Sequence, residues 1–294
     1  MRANSCVIFT SIFLVFFILV TLPVNAQWRS KTHDEYEAYT TDGSLLDIKI
    51  DGKFNDWDGI LEGPRAVVGT NGKPFKGVKN ETKAGGEKTF EEHGGGKWNG
   101  KADHETGVMF VWEPGAFYLG LIVADDEHEN KANNGWNGDA VQLAFEMAGK
   151  RAAGSKLHLI NWALPHKSEL CNHNGLAKGD DCIIHYERTF ENKKVDLAIV
   201  RNKAKKTTYY ESRFPADELG VGAFKAGMKF GVGICVNDGD NDTPGQTGWS
   251  GWYPHAIVFG KNSEKTGLVV LTNAPFAVGP TGKLTTKWAA IRTK

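Results

Sequence analysis

An antiparallel β-sandwich with long loops is the fold class this sequence predicts. Short segments of alternating apolar and polar residues recur along the chain, and clusters of Gly, Asn and Asp separate them. No long segment carries a helical apolar period. The abundance of glycine (35) and tryptophan (9) fits the same class, whose strands are short and whose loops are Gly-rich.

The chain opens with Met1 and Arg2, followed by an apolar run over 6–20. Pro23 breaks that run, and Val24-Asn25-Ala26 supplies small residues before Gln27. This is the layout of a secretory signal peptide over 1–26, and its apolar run is shorter than the roughly 20 residues a spanning helix needs. The mature chain is expected to be secreted or extracytoplasmic, with no membrane span. Residues 27–43 are polar and aperiodic, and a flexible lead-in is expected there. One domain is expected over 44–274, with a tail over 275–294. Within it, 70–107 is rich in Gly and Lys and reads as a long surface excursion.

Leu46, Ile48 and Ile50 alternate with Asp47 and Lys49, which predicts a first strand turned by Asp51-Gly52. From Val108 onward strands dominate. Phe117, Leu119, Leu121 and Val123 share one face of a strand. Val141, Leu143 and Phe145 share a face of another, sending Gln142 and Glu146 to its opposite side. Segments 156–164, 183–190, 195–200, 207–214, 230–236 and 268–271 continue the series, and 215–219 forms one helical turn.

Lys+Arg (35) balances Asp+Glu (35), which removes both the basic footprint of a nucleic-acid binder and the charge excess of a disordered chain. Cys6 lies in the signal segment. Cys171 and Cys182 enclose a Gly/Asn/Asp loop and are the expected pair in an oxidising compartment. Cys235, in the apolar run FGVGICV, reads as a buried free thiol. A zinc site from Cys171, His173, Cys182 and His185 has the right ligand types but matches no standard spacing.

The most informative stretch is 116–146, AFYLGLIVADDEHENKANNGWNGDAVQLAFE. Two alternating strands flank a polar loop that holds Asp125, Asp126 and Glu127 and closes on Trp136-Asn137-Gly138-Asp139. An indole beside carboxylates suits a sugar-binding surface better than a reactive centre. Ca2+ takes several hard oxygens on a flexible loop. Asp125, Asp126 and Asp139 are one candidate set, and Asn237, Asp238, Asp240 and Asp242 are another, although neither matches an EF-hand and both residue types are common in turns. His93, His104 and His128 are expected to be solvated. Glu211 and Arg213 share a strand face, where a surface ion pair is expected. Asn80-Glu81-Thr82 fits a glycosylation acceptor.

Five blocks, in order, resemble carbohydrate-binding module family 9: IDGKFNDWDG at 50–59, FYLGLIVADDEH at 117–128, WNGDAVQLAFE at 136–146, YYESRFPADELG at 209–220, and FGVGICVNDGDND at 230–242 with GWSGWYP and TGLVVL beyond it. Together they span most of 45–272. The resemblance implies a jelly-roll sandwich that binds glycan chains or their ends without cleaving them, holds structural calcium, and grips the sugar between two tryptophans. Trp136 falls on one of those positions, and Trp249 or Trp252 on the second. Gln142 stands where the family often has glutamate, and its amide would hydrogen-bond a hydroxyl. Read from the residues, the Asn237 cluster has an alternative to calcium: it could equally hydrogen-bond the sugar.

The physical case runs alongside. A sugar ring presents a C–H patch that an indole covers, and a hydroxyl rim whose displaced water must be replaced by equivalent bonds. The polar neighbours of Trp136 argue for its exposure, and at least one of Trp249 and Trp252, in their Gly-rich setting, is expected to be exposed. Trp57, Trp112 and Trp162 are expected to be structural. A glycoside hydrolase acting on O-glycosyl bonds needs two carboxylates facing each other at a defined separation, and no pair stands out. A haem-binding electron carrier needs axial Met or His ligands in an apolar pocket, and Met109, Met147 and Met228 have no evident His partner. The expectation is therefore a secreted, non-catalytic carbohydrate-binding protein that supports polysaccharide degradation.

Overall fold

The computed structural model describes residues 34–41, 47–57, 67–68, 90–100, 102–174, 182–190, 193–240 and 245–275. The signal segment, Leu46, Asn80-Glu81-Thr82, Asp242 and the tail beyond 275 lie outside the described residues.

Among the described residues fourteen strands make the fold: β1 (Glu35–Thr40), β2 (Val67–Val68), β3 (Glu91–Glu92), β4 (His104–Glu113), β5 (Ala116–Asp125), β6 (Ala140–Glu146), β7 (His158–Ala163), β8 (Leu170–His173), β9 (Ile183–Arg188), β10 (Asp196–Asn202), β11 (Thr207–Pro215), β12 (Lys229–Asp238), β13 (Gly248–Ser250) and β14 (Gly267–Pro275). Among the described residues the helical content is three short 3-10 turns, at Ala216–Leu219, Pro254–Ala256 and Ser263–Lys265. None is long and apolar enough to cross a membrane.

The main strand order is β8-β10-β11-β5-β4-β1-β14-β12-β6-β7-β9. The sheet curls so that its two halves face each other, as the side chains demonstrate. Phe117 of β5 meets Phe145 of β6 (6.3 Å between ring centres) and Phe230 of β12 (5.2 Å). Phe214 of β11 meets Phe145 (4.8 Å) and Trp162 of β7 (5.8 Å). The predicted inward sets (Phe117, Leu119, Leu121, Val123 and Val141, Leu143, Phe145) all belong to this one core. Trp57, Trp112 and Trp162 are buried, as expected of structural tryptophans.

Three expectations about the edges of the domain need correction. Residues 35–40 are a central strand, not a flexible lead-in. Tyr36 and Ala38 enter the core, and β1 pairs in parallel with both β14 and β4. The sheet is therefore mixed at β1 and antiparallel at its other strand pairings. The outward Glu35 and Glu37 masked the strand's apolar alternation. The Gly/Lys-rich excursion ends earlier than expected: Phe90 is buried, Glu91–Glu92 pairs with β13, and β4 already begins at His104. Residues 47–50, by contrast, form no strand. With 51–57 they cover the outer face of β4 and β5, where Phe54 and Trp57 pack on Met109, Val111, Tyr118 and Ile122.

That cover is fixed by Glu211, which is fully buried. Its carboxyl group accepts the Trp57 indole N–H (2.7 Å) and the backbone N–H groups of Asp51 (3.0 Å) and Gly52. Gly52, at φ +78°, brings its backbone so close to β10 that a Cβ would overlap Val200. The expected Glu211–Arg213 pair does not form, because Arg213 lies 3.4 Å from Asp196. Strand alternation put both on one face, but the 47–57 cover separates their partners.

Cys171 and Cys182 form a disulfide, which removes the zinc alternative, and Cys235 is a buried free thiol.

Candidate ligand-binding site

The loop between β5 and β6 crosses the open end of the sandwich and then lies back on the outer face of β7. Gly135 makes the second contact possible, since a Cβ there would stand 3.0 Å from the Asn161 side chain. Gly138, at φ +104°, turns the loop against Glu129 and Asn130. Asp139 locks the closed end. One carboxylate oxygen accepts the Glu129 N–H, the other accepts the Gly239 N–H at 3.3 Å, and the Asp139 N–H returns to the Glu129 carbonyl at 2.7 Å. Asn130 donates to the carbonyls of Asn134 (2.9 Å) and Asp139 (2.8 Å).

Trp136 emerges from this loop 41% exposed, one of three large apolar side chains on the surface among the described residues. Its ring rests on His185 of β9 (4.8 Å between centres). Its carbonyl accepts the Asn237 amide at 2.8 Å, and Asn237 in turn accepts from Gln142 at 3.2 Å. Beneath the loop, Cys235, Gln142, Asn161 and His185 sit side by side across β12, β6, β7 and β9.

The exposed position expected for Trp136 is therefore found, but its expected companions are not. Trp249 and Trp252 are both buried. Trp252 packs in the main core against Tyr36 and Phe110, and Trp249 packs under the outer-face turn with Ile257. Their glycine-rich surroundings reflect close backbone approach, not openness: a Cβ at Gly251 would collide with Ile234, and one at Gly267 with Trp252. Gln142 and Asn237 are buried too and serve to position the Trp136 backbone. The loop that carries the indole covers them.

Behind the loop, strand ends converge to concentrate negative charge. Asp125, Asp139 and Asp238 are buried, and Asp103, Asp126 and Asp240 stand beside them. Two sets bring ligand atoms within 4.8 Å of one another: Asp125, His128 and Asp139, and Asp103, Asp126 and Asp240. Burial, then repulsion from Asp125 and Asp238, holds Asp139 well above the usual carboxylate range. Burial, then repulsion from Asp238, Asp103, Asp125 and Asp126, pushes Asp240 up to about 7. Some charge is met internally. Arg201 donates to the Asp125 carbonyl (2.8 Å) and lies 3.5 Å from its carboxylate. Asp238 is 2.8 Å from His104 Nδ1.

His104 is fully buried, not solvated as expected, with Nε2 at 2.8 Å from Ser250 Oγ. Burial works against its positive charge, but Asp238, Asp125 and Asp103 outweigh this and raise its pKa. His128 lies mostly buried against Asp125 and Asp139, and of these three histidines His93 alone is exposed. The two acidic sets predicted from sequence are thus repartitioned in space. Asp103 and His128 join them, while Asp238 turns to His104 and Asn237 to the Trp136 loop. Asp103 sits before β4 in a segment that reads as loop, so only its place in the fold reveals it.

The architecture is a β-sandwich of the kind found in carbohydrate-binding modules. No protein-family model and no curated protein matches this sequence. Two solved structures share the fold. One is a carbohydrate binding module family 9 from Caldicellulosiruptor kristjanssonii in complex with cellotriose (TM-score 0.53, 11% identity, covering 85% of this chain and 100% of that one). The other is a family 9 module from the same organism in complex with glucose (TM-score 0.52, 10% identity, 85% and 98%). At this identity the likeness establishes the fold.

Proposed function

We propose that this protein binds neutral glycans through Trp136 and does so without cleaving them. The observation that carries the reading is the exposed indole, held on a loop whose backbone is fixed by Asn130, Asp139 and Asn237. A pre-ordered aromatic surface stacks on a sugar's C–H face at little conformational cost. The shared fold supports the reading, because the two similar structures hold cellotriose and glucose. Gluco-oligosaccharides are therefore the first ligands to try.

Calcium belongs to the same proposal. Asp103, Asp126 and Asp240 offer hard oxygens only, and their carboxylate oxygens lie within 4.8 Å of one another, so the set suits Ca2+. The mixed set of Asp125, His128 and Asp139 suits it less, since calcium prefers oxygen to imidazole nitrogen. A bound ion would neutralise this cluster and hold Asp126 and Asp240 together beside the base of the Trp136 loop. We further propose that residues 1–26 direct export, which fits the Cys171–Cys182 disulfide, a bond that persists in oxidising compartments. In that setting the protein would retain glycans for degrading enzymes.

The test is depletion of purified protein from solution by a panel of insoluble polysaccharides, with competition by soluble oligosaccharides. Retention on at least one neutral polysaccharide is expected. A folded protein that binds none would sink the proposal.

A further inference from the structure

The expected second tryptophan is buried, yet a different aromatic residue is exposed on the same outer face. Phe259 is 66% exposed. It belongs to the segment 253–262, which lies across the outer face of β12: a Cβ at Gly233 would meet Ala256, and Ala256 and Ile257 pack with Ala144, Leu159, Cys235 and Trp249. The segment is held rigidly. Asn262 donates its side-chain amide to the His255 carbonyl (3.1 Å) and its backbone N–H to the Ala256 carbonyl (2.9 Å). Phe259 itself has φ +57°, a left-handed conformation that is costly for a bulky side chain. Its ring leans edge-on against Trp249 (5.6 Å) and His255 (5.7 Å) with most of its surface in solvent.

This segment and the Trp136 loop border the same surface, joined by a closed circuit of contacts. Trp136 binds Asn237 through its carbonyl, and Asn237 pairs in register with Trp249. Trp249 supports Phe259. Two residues on, Lys261 Nζ lies 3.3 Å from Glu187. Glu187 follows His185 on β9, and His185 supports the Trp136 ring. Asn161 lies beneath and donates to Glu187 at 2.7 Å, fixing that carboxylate. The accessible surface is two separated aromatic rings with a histidine and a Lys–Glu pair between them. The supports of the rings, His185 and Trp249, stand on β9 and β13, about four strand spacings of ~4.8 Å apart, or about 19 Å. Supports on strands this far apart give the two rings separate stacking positions.

We propose that Phe259 is the second stacking residue of the site, and that the site takes an extended neutral glycan running from Trp136 across Glu187 and Lys261 to Phe259. The pair supplies both an acceptor and donors to hydroxyls while carrying no net charge, so it gives no advantage to a uronic acid chain. This inference rests on the glycan-binding reading of Trp136.

The experiment titrates cello-oligosaccharides of increasing length into wild type, Phe259→Ala and Trp136→Ala, with xylo-, manno- and galacto-oligosaccharide series run if cello-oligosaccharides fail. Wild-type affinity should rise with chain length. Phe259→Ala should remove that rise and cost about tenfold on the longest ligand while leaving the shortest unchanged. Trp136→Ala should lose binding at every length. Light scattering on the same samples reports the oligomeric state. Length-dependent affinity that survives Phe259→Ala overturns the inference and leaves the Trp136 reading standing. So does a Phe259→Ala protein that changes only its oligomeric state, since Phe259 would then be a contact between copies. A wild type that binds no series overturns both readings.

Discussion

Glu211→Gln should flatten part of the pH dependence of stability. Burial pushes the Glu211 carboxyl up to about 8 from its usual 4.5, with Asp56 adding to the rise and the N–H groups of Gly52, Asp51 and Trp57 opposing it. The folded chain therefore keeps this proton through a window in which the unfolded chain has lost it. Its contribution to stability is complete below pH 4.5 and is lost as pH rises to about 8. Each unit of the gap is worth ~1.36 kcal/mol, which sets a ceiling of about 5 kcal/mol on that loss. Glutamine cannot ionise. Its amide will oppose the Trp57 indole N–H, a penalty of about 1–3 kcal/mol that does not vary with pH. Urea unfolding of wild type and variant, followed by fluorescence from pH 4.5 to 8.5, measures the difference. Asp240 and His104 titrate in both proteins and cancel. The variant should gain on wild type steadily as pH rises. Parallel profiles would refute the buried-carboxylate account.

Other perturbations report on other parts of the structure. Cys171→Ser should cost about 3 kcal/mol, read from urea midpoints, by freeing a loop whose closure restricts the unfolded chain. Phe214→Ala should cost about 3–5 kcal/mol, because Phe214 joins the two halves of the sheet through Phe145 and Trp162. Chelation by EDTA should lower the melting temperature of wild type and leave Asp240→Asn unchanged, as checked by scanning calorimetry with and without added calcium. Equal responses of the two proteins would remove Asp240 from the metal set.

Much of the core was legible because Phe117, Leu119, Leu121 and Val123 on β5 and Val141, Leu143 and Phe145 on β6 recur at every second residue, and turn residues bound the strands. β1 was hidden because its sequence, EYEAYT, places glutamates beside its inward residues, and its parallel partners lie far along the chain. The start of β4 was hidden in the same way: His104 and Thr106 are polar yet buried, satisfied by Asp238 and Ser250 from distant strands. Local polarity reads as a loop where long-range hydrogen bonds permit burial. At the site, Trp136 was visible from its polar neighbours. Trp249 and Trp252 misled because glycine serves both open loops and tight backbone packing. Phe259 gave no signal beyond being a lone aromatic residue; its exposure follows from where Ile257 and Asn262 pin the segment.

Calorimetric titration of wild type and Trp136→Ala with one neutral oligosaccharide retained by the polysaccharide panel tests the central claim most directly. Trp136 is on the surface, so the variant should unfold at the wild-type urea midpoint. The account predicts saturable binding to wild type with one site per chain and no detectable binding to the folded variant. Wild-type affinity in Trp136→Ala would place the glycan elsewhere and contradict it.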